Sequence, residues 1–296
     1  MVRGTASSKG KAAKLEEAGI EAFLFSEEEQ GALDAIDAAL AASSHVLVSI
    51  PPVIEEDGEG RDIVLESFQK ALKKLSKPKK KKGKDGTKRK VCSLKWLGYL
   101  STTQVYGDWE GGWVDEKSEP RTMKPKLQRR VEVEERWMDC IESDIPVHLF
   151  RLAGIYGPTR SLLHSVKAGK SVSKKMLWRL EKKYTSRCHV ADVCAALRAS
   201  MADPDPGATY CIVDDEPASR REVLGYIGEL LDVEVEQIKG AAKPPEYVEE
   251  KRVFNAVMKD TLGVELKYPT YKEGLKAISD GEIFPFNPEV LEVLNT

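Results

Sequence analysis

Residues Tyr99 to Gly107 read YLSTTQVYG, and together with RLAGIYGP (Arg151 to Pro158) and SRCHVAD (Ser186 to Asp192) they decide the fold. Each is an apolar β run that ends in small, hydroxyl or ring residues. An open α/β sheet presents its ligand-binding groups in this way, at the carboxyl ends of parallel strands. Outward from these runs, strands alternate with helices. Lys9 to Ala18 is predicted helical, and Ala22 to Phe25 a short strand introduced by Gly19. Glu27 to Ser43, acidic in its first turn, reads as a helix that feeds the continuous apolar strand His45 to Ile50. Ile63 to Leu75 is an amphipathic helix, Trp96 to Ser101 a strand, Arg129 to Ser143 a long helix and Val147 to Leu152 a strand. Val190 to Met201 is a helix, Thr209 to Val213 a strand, and Ser219 to Leu231 a helix opened by the capping box of Ser219 and Glu222. This alternation predicts an α/β fold, a doubly wound parallel sheet covered on both faces. After Gly154 the pattern loosens, as expected where loops and short helices cover a substrate. The carboxyl-terminal residues, with Tyr268, Tyr271, Phe284 and Phe286 among polar neighbours, read as a small cap.

A chain of 296 residues, 41% hydrophobic, buries a sizeable core as one large domain or two ordinary ones. No run approaches the eighteen or more apolar residues of a membrane span, and the first residues, MVRGTASSKGKAAK, contain no apolar signal region. The expectation is a soluble intracellular protein, cytoplasmic or organellar. The five cysteines are scattered, odd in number and without CxxC spacing, which argues against a disulfide framework and a zinc site. No metal is expected: the paired Asp214 and Asp215 have no His or third carboxylate beside them.

The net charge of -2 hides an asymmetry, because Lys73 to Lys90 holds eleven basic residues and one acidic, leaving 35 basic and 47 acidic residues elsewhere. Residues 76–91 read as a solvated, disordered basic insertion. Such a block suits nucleic acid, an anionic surface or an import signal. The expected reading is an insertion that extends a surface loop, and a nucleic-acid partner is not expected. Lys243 to Glu246, which contains prolines, is a second candidate linker.

The order and wording of YLSTTQVYG, RLAGIYGP and SRCHVAD resemble the extended, atypical branch of the short-chain dehydrogenase/reductase superfamily, the nucleotide-sugar epimerase and dehydratase type. The resemblance implies a Rossmann-like dinucleotide-binding domain over 1–160 and a substrate-cap region over 161–296 interleaved with the last strands. It also implies NAD or NADP as cofactor, an anionic small-molecule substrate and a possible homodimer through the helix around Glu134. The family opens with a strand, a GxGxxG turn and a helix, whose amides hold the pyrophosphate. No GxGxxG occurs here. VRGTAS resembles the end of the family's second strand, so the first βα unit is absent from the sequence. Either about 30 residues, the size of such a unit, have been lost from the front, or the protein is a natural form that gave up cofactor binding. The clean break between elements favours the first.

Carried over residue by residue, Gly4, Thr5, Ser49, Ile50, Pro51, Pro52, Ser101, Arg151, Gly154 and Ile155 fall at cofactor positions. Thr103, Tyr106, Tyr156, Arg160 and Arg187 fall at substrate positions, where arginines suit an anionic ligand. Thr102 takes the hydroxyl role of the catalytic set. The positions of the family's tyrosine and lysine fall on Lys126 and Arg130. Arginine keeps the charge but gives up no proton near neutral pH, and Lys126 titrates there only if burial lowers its pKa. Tyr106 is the nearest tyrosine to Thr102, but its place in the VYG signature implies that it shapes the substrate pocket rather than replacing the acid. His189 and Asp192 are expected to tie a helix to the sheet. Two functions follow: an NAD(P)-dependent oxidoreductase or epimerase-like enzyme with a degenerate motif, or a catalytically silent ligand sensor or scaffold.

Overall fold

Most strands pair in parallel in the computed structural model, which describes residues 1–26, 33–54, 60–77, 79–82, 88–91, 93–169, 180, 182–233 and 248–295. β1 (Arg3–Ala6) runs into α1 (Lys9–Glu17), whose first turn is capped by the Ser8 hydroxyl accepting from Lys11 N. β2 (Glu21–Leu24) returns parallel to β1, in the register Gly4 to Ala22 and Thr5 to Phe23. α2 (Leu33–Ala41) then leads to β3 (His45–Val48). β4 (Val53–Ile54) and β5 (Gly60–Arg61) form a short antiparallel pair ahead of α3 (Ile63–Ser76).

Asp62 caps α3 with one carboxylate oxygen, which accepts from Val64 N at 3.0 Å and Leu65 N at 2.9 Å. Its other oxygen accepts from the Trp137 indole N–H at 2.8 Å. Asp62 is buried with both oxygens satisfied, as a buried carboxylate must be.

The basic segment differs from expectation. Lys79–Lys82 (β6) and Lys88–Val91 (β7) pair antiparallel as a hairpin, where a disordered insertion was expected. Composition weighs solvation of the charges but not the backbone hydrogen bonds that two adjacent strands supply to each other. The Lys243 to Glu246 linker candidate lies outside the described residues.

β8 (Trp96–Thr102) is the central strand, buried along most of its length. A 3-10 turn over Thr103–Tyr106 and β9 (Trp113–Val114) precede α4 (Pro125–Asp139). β10 (Val147–Leu152) is buried at every position and leads to β11 (Gly154–Tyr156) and α5 (Leu162–Lys167). β12 (Arg187–His189) pairs parallel with β11 and passes directly into α6 (Val190–Ala202). β13 (Thr209–Ile212), α7 (Arg220–Leu231), β14 (Arg252–Val253), α8 (Ala256–Leu262), α9 (Tyr271–Ser279) and α10 (Pro288–Asn295) complete the described chain.

The main sheet has the order β13-β10-β8-β3, with every pair parallel. One face packs α3 and α4 through Phe68, Leu72, Tyr99, Val133, Trp137 and Leu149. The other packs α6 and α8 through Trp96, Phe150, Tyr210, Val193 and Met258. Helices on both faces are what continuous apolar strands require. The second cluster joins residues on both sides of position 160, so the amino- and carboxyl-terminal parts are interleaved.

Among the described residues β3 has a strand partner on one side only, β8. Its other edge and β1 border a cavity of about 110 Å3, lined by Thr5, Phe25, Ile36, Val46, Leu47 and Phe68 among others. Leu47 on this edge strand is 43% exposed.

Candidate active site

Thr102 closes β8, and its hydroxyl accepts from Gln104 N at 3.3 Å, capping the 3-10 turn that follows. The turn ends at Gly107, with φ of 66°, where a Cβ would sit 2.5 Å from the backbone of Arg121 and Thr122. Only glycine fits there. Thr102 and Thr103 line a cavity of about 570 Å3 at the carboxyl ends of the strands. Gly154, Ile155 and Tyr156 from β11, Arg187 from β12, and Arg160 and Arg220 also line it. Tyr156 packs so closely on α9 that a Cβ on Gly274 would lie 2.2 Å from its hydroxyl oxygen. That hydroxyl donates to Thr270 O at 3.3 Å.

Sequence reasoning missed the wall formed by Lys124, Lys182, Tyr184, Glu249, Lys251 and Val253. The Glu249 carboxylate is buried, pairs with Lys124 and accepts from the Thr122 hydroxyl at 3.4 Å. Lys182 Nζ donates to Glu249 O, and Lys251 Nζ donates to Gly107 O, both at 2.9 Å. Burial, reinforced by Lys182 and Lys124, pushes the Lys251 amine down to about 8. Residues 249–252 are held against the Gly107 to Val114 loop by Trp109 N and Gly111 N donating to Glu250 O and Arg252 N donating to Gly112 O. These segments are far apart in sequence, and no local pattern announces them.

Arg187 is buried and donates to Thr185 O and Ala218 O, each at 2.7 Å. Asp214 lies near it with both carboxylate oxygens lacking a hydrogen-bond partner among the described residues, and burial pushes its carboxyl up to about 8. Among the described residues the cavity lining carries Lys124, Arg160, Lys182, Arg187, Arg220 and Lys251 against one carboxylate, Glu249. Such a wall favours phosphate or carboxylate groups, and the threonine hydroxyls supply hydrogen bonds to a carbonyl or alcohol oxygen.

Of the expected residues, Thr102, Thr103, Gly154, Ile155, Tyr156, Arg160 and Arg187 come together in this cavity. Others lie elsewhere. Ser101, Tyr106 and Arg151 belong to a buried network centred on Glu134. The Ser101 hydroxyl donates to Glu134, and Arg151 donates to Glu134 at 2.8 and 3.1 Å and to the Tyr106 hydroxyl at 3.0 Å. Tyr106 is fully buried, and burial raises its phenol pKa, so it is not the replacement acid.

Lys126 sits exposed in the first turn of α4, outside the cavity lining, because Pro125 starts that helix earlier than the expected Arg129. Arg130 is half-buried and donates to Leu100 O at 3.3 Å instead of reaching the cavity. Thr5, Ser49 and Ile50 line the smaller cavity between β1 and β3, whereas Gly4, Pro51 and Pro52 line neither cavity. His189 has the structural place expected of it. Its Nδ1 accepts from Ala191 N at 3.2 Å, and its ring packs between Tyr156 and Tyr268. Asp192 accepts from Lys267 N at 2.7 Å, tying α6 to the carboxyl-terminal segment.

No protein-family model and no curated protein matches the chain. Solved structures do. A conserved protein from Silicibacter pomeroyi, described as functionally unknown, is 34% identical, with 94% of this chain and 89% of that chain covered and a TM-score of 0.74. The dTDP-glucose 4,6-dehydratase of Bacillus anthracis, solved with NAD, is 17% identical over 88% of this chain and 79% of that one, with a TM-score of 0.66. MoeE5, solved with UDP-glucose and NAD, is 17% identical over 94% and 97%, with a TM-score of 0.63. The last two likenesses establish the fold, and the first establishes kinship. The chain belongs to the family of the Silicibacter pomeroyi protein and shares its fold with solved NAD-dependent epimerase and dehydratase structures.

Proposed function

We propose that this protein binds a nucleotide sugar, or a similar anionic small molecule, in the larger cavity and acts on it as an NAD(P)-dependent enzyme of the epimerase, dehydratase or reductase kind. The observation that carries this reading is that Thr102 and Thr103 line one cavity together with Arg160 and Arg187, at the carboxyl ends of the strands. The arginines would hold the anionic end of the ligand, and the Thr102 hydroxyl would orient the reacting oxygen. Similarity to the dehydratase solved with NAD and to MoeE5 solved with UDP-glucose and NAD supports the ligand classes.

The cofactor fit is incomplete in the residues described. The cavity between β1 and β3 is largely apolar and has no glycine-rich turn to receive a pyrophosphate. A further parallel strand with such a turn, seated between the two edges, would join the strand systems into one sheet and supply the missing amides. NAD(P), when bound, provides or accepts hydride; the chain's own residues position the substrate. A second reading, a catalytically silent sensor or scaffold, is favoured by the placement of Lys126 and Arg130 outside the cavity lining.

Titration calorimetry with NADH and with NADPH separates the two. Under the enzyme reading one cofactor binds saturably once a strand-turn-helix unit of the family is fused ahead of Met1, and neither binds tightly without it. Absence of binding by the fused protein, with its fold intact by circular dichroism, removes the enzyme reading.

A further inference from the structure

We infer that Lys251 is a nucleophilic amine that captures anionic aldehydes or ketones as Schiff bases within the larger cavity. The inference rests on the cavity itself and stands whether or not a nicotinamide cofactor binds.

Position is the first ground. Lys251 lines the cavity together with Thr102 and Thr103, and Nζ is held 2.9 Å from Gly107 O, at the end of the turn that Thr102 opens. One N–H is thereby directed at a carbonyl, leaving the lone pair of the neutral amine for an incoming carbon. The segment carrying it is fixed by the three backbone hydrogen bonds to the Gly107 to Val114 loop, so the amine is not on a free tail.

Charge is the second ground. Lys182 and Lys124 disfavour a further ammonium, while Glu249 and Asp108 favour one. Glu249 is already engaged with Lys124 and the Thr122 hydroxyl, and Asp108 Oδ1 with Glu250 N at 2.8 Å, which limits their help. The balance leaves Lys251 at about 8. A far larger share of it is neutral near pH 7.5 than the roughly 0.1% of an ordinary lysine with pKa about 10.4. An amine activated by desolvation and neighbouring cations is the arrangement that Schiff-base lysines use. The same cations, with Arg160 and Arg220 of the cavity lining, would hold the phosphate or carboxylate of the captured molecule.

The chemistry balances without any oxidant or reductant. The Nζ lone pair forms a C–N bond to the carbonyl carbon, and the carbonyl oxygen takes up the proton released by nitrogen. The carbinolamine then loses water to give the imine, which hydrolysis returns to amine and carbonyl.

The probe is pyridoxal 5'-phosphate, added below one equivalent and trapped by borohydride, whose hydride converts the imine to a stable secondary amine that peptide mass spectrometry locates. Lys251 is expected to carry most of the label at pH 7.5, and pyridoxal without the phosphate to label it at least tenfold more slowly. The labelling rate should level off above pH 8, whereas that of an ordinary lysine keeps rising toward pH 10. Lys182→Met should slow labelling severalfold at pH 7.5, and Glu249→Gln should speed it. Label spread over exposed lysines with Lys251 unmodified overturns the proposal, as does a Lys251 rate that climbs to pH 10 or is indifferent to both substitutions. Because the site is located in the unaltered protein, the result does not depend on a Lys251 variant folding.

Discussion

His189 shows how burial sets the chemistry of a single side chain. Its Nδ1 must be unprotonated to accept from Ala191 N, and burial pushes the imidazole down to about 4 from an unfolded value of about 6.5. The folded protein therefore binds fewer protons than the unfolded chain between these values. Its contribution is fully present above pH 6.5 and is lost as pH falls to about 4, at most about 3 kcal/mol. The Tm of the unaltered protein should fall through this window, and His189→Asn, which keeps a capping oxygen, should show a shallower fall. Identical acid limbs for both proteins contradict the assignment. The structural role of His189 was legible from the HVAD sequence, as was the grouping of Thr102 with Tyr156, Arg160 and Arg187. The role of Arg151 was not. It sits beside Ser101 in register on adjacent strands, and what captures both is Glu134 on α4. Nothing in a strand's own sequence announces a carboxylate supplied by a helix packed across it. A pair this buried resists the loss of either partner, at a cost of about 3–5 kcal/mol, and is structural by that measure. Lys124, Lys182 and Lys251 were illegible for a related reason: three separated segments supply one wall.

At the scale of elements, the helices and strands of the main sheet follow the apolar periodicity closely, because each buries one face against a neighbour of the same kind. Departures arise where a local signal competes with periodicity. α4 begins at Pro125, and the expected end of that helix, Cys140–Ser143, tightens into a 3-10 turn. Pro125 was the readable sign, since proline suits a first helical position, and the earlier start carries Lys126 to an exposed first turn. The basic hairpin was unreadable from charge alone. Asp62 joins two elements, capping α3 and accepting from Trp137 of α4. Asp62→Ala removes the cap and leaves the buried indole N–H without its acceptor, and should cost about 2–4 kcal/mol in urea unfolding. Asp62→Asn, which retains one acceptor oxygen for the cap, should recover about half. A loss below 0.5 kcal/mol for the alanine variant would contradict this linkage.

Over the whole molecule, parallel strands carry the loops of one edge to a common cavity, and that topology was legible because strand ends rich in Ser, Thr, Gly and Arg recur in YLSTTQVYG, RLAGIYGP and SRCHVAD. β1 and β2 form a two-stranded sheet separate from the main sheet, with the smaller cavity between β1 and β3. The larger cavity shares no lining residue with the smaller one. Anion capture there can be tested without any cofactor. Calorimetric titration of the unaltered chain and of Arg160→Ala with UDP-glucose is the direct measurement, because Arg160 is exposed at the cavity and its loss leaves the core intact. The account predicts saturable binding that Arg160→Ala weakens about tenfold or more, the equivalent of one charge-assisted hydrogen bond. No binding by the unaltered chain, or equal binding by both, would contradict it.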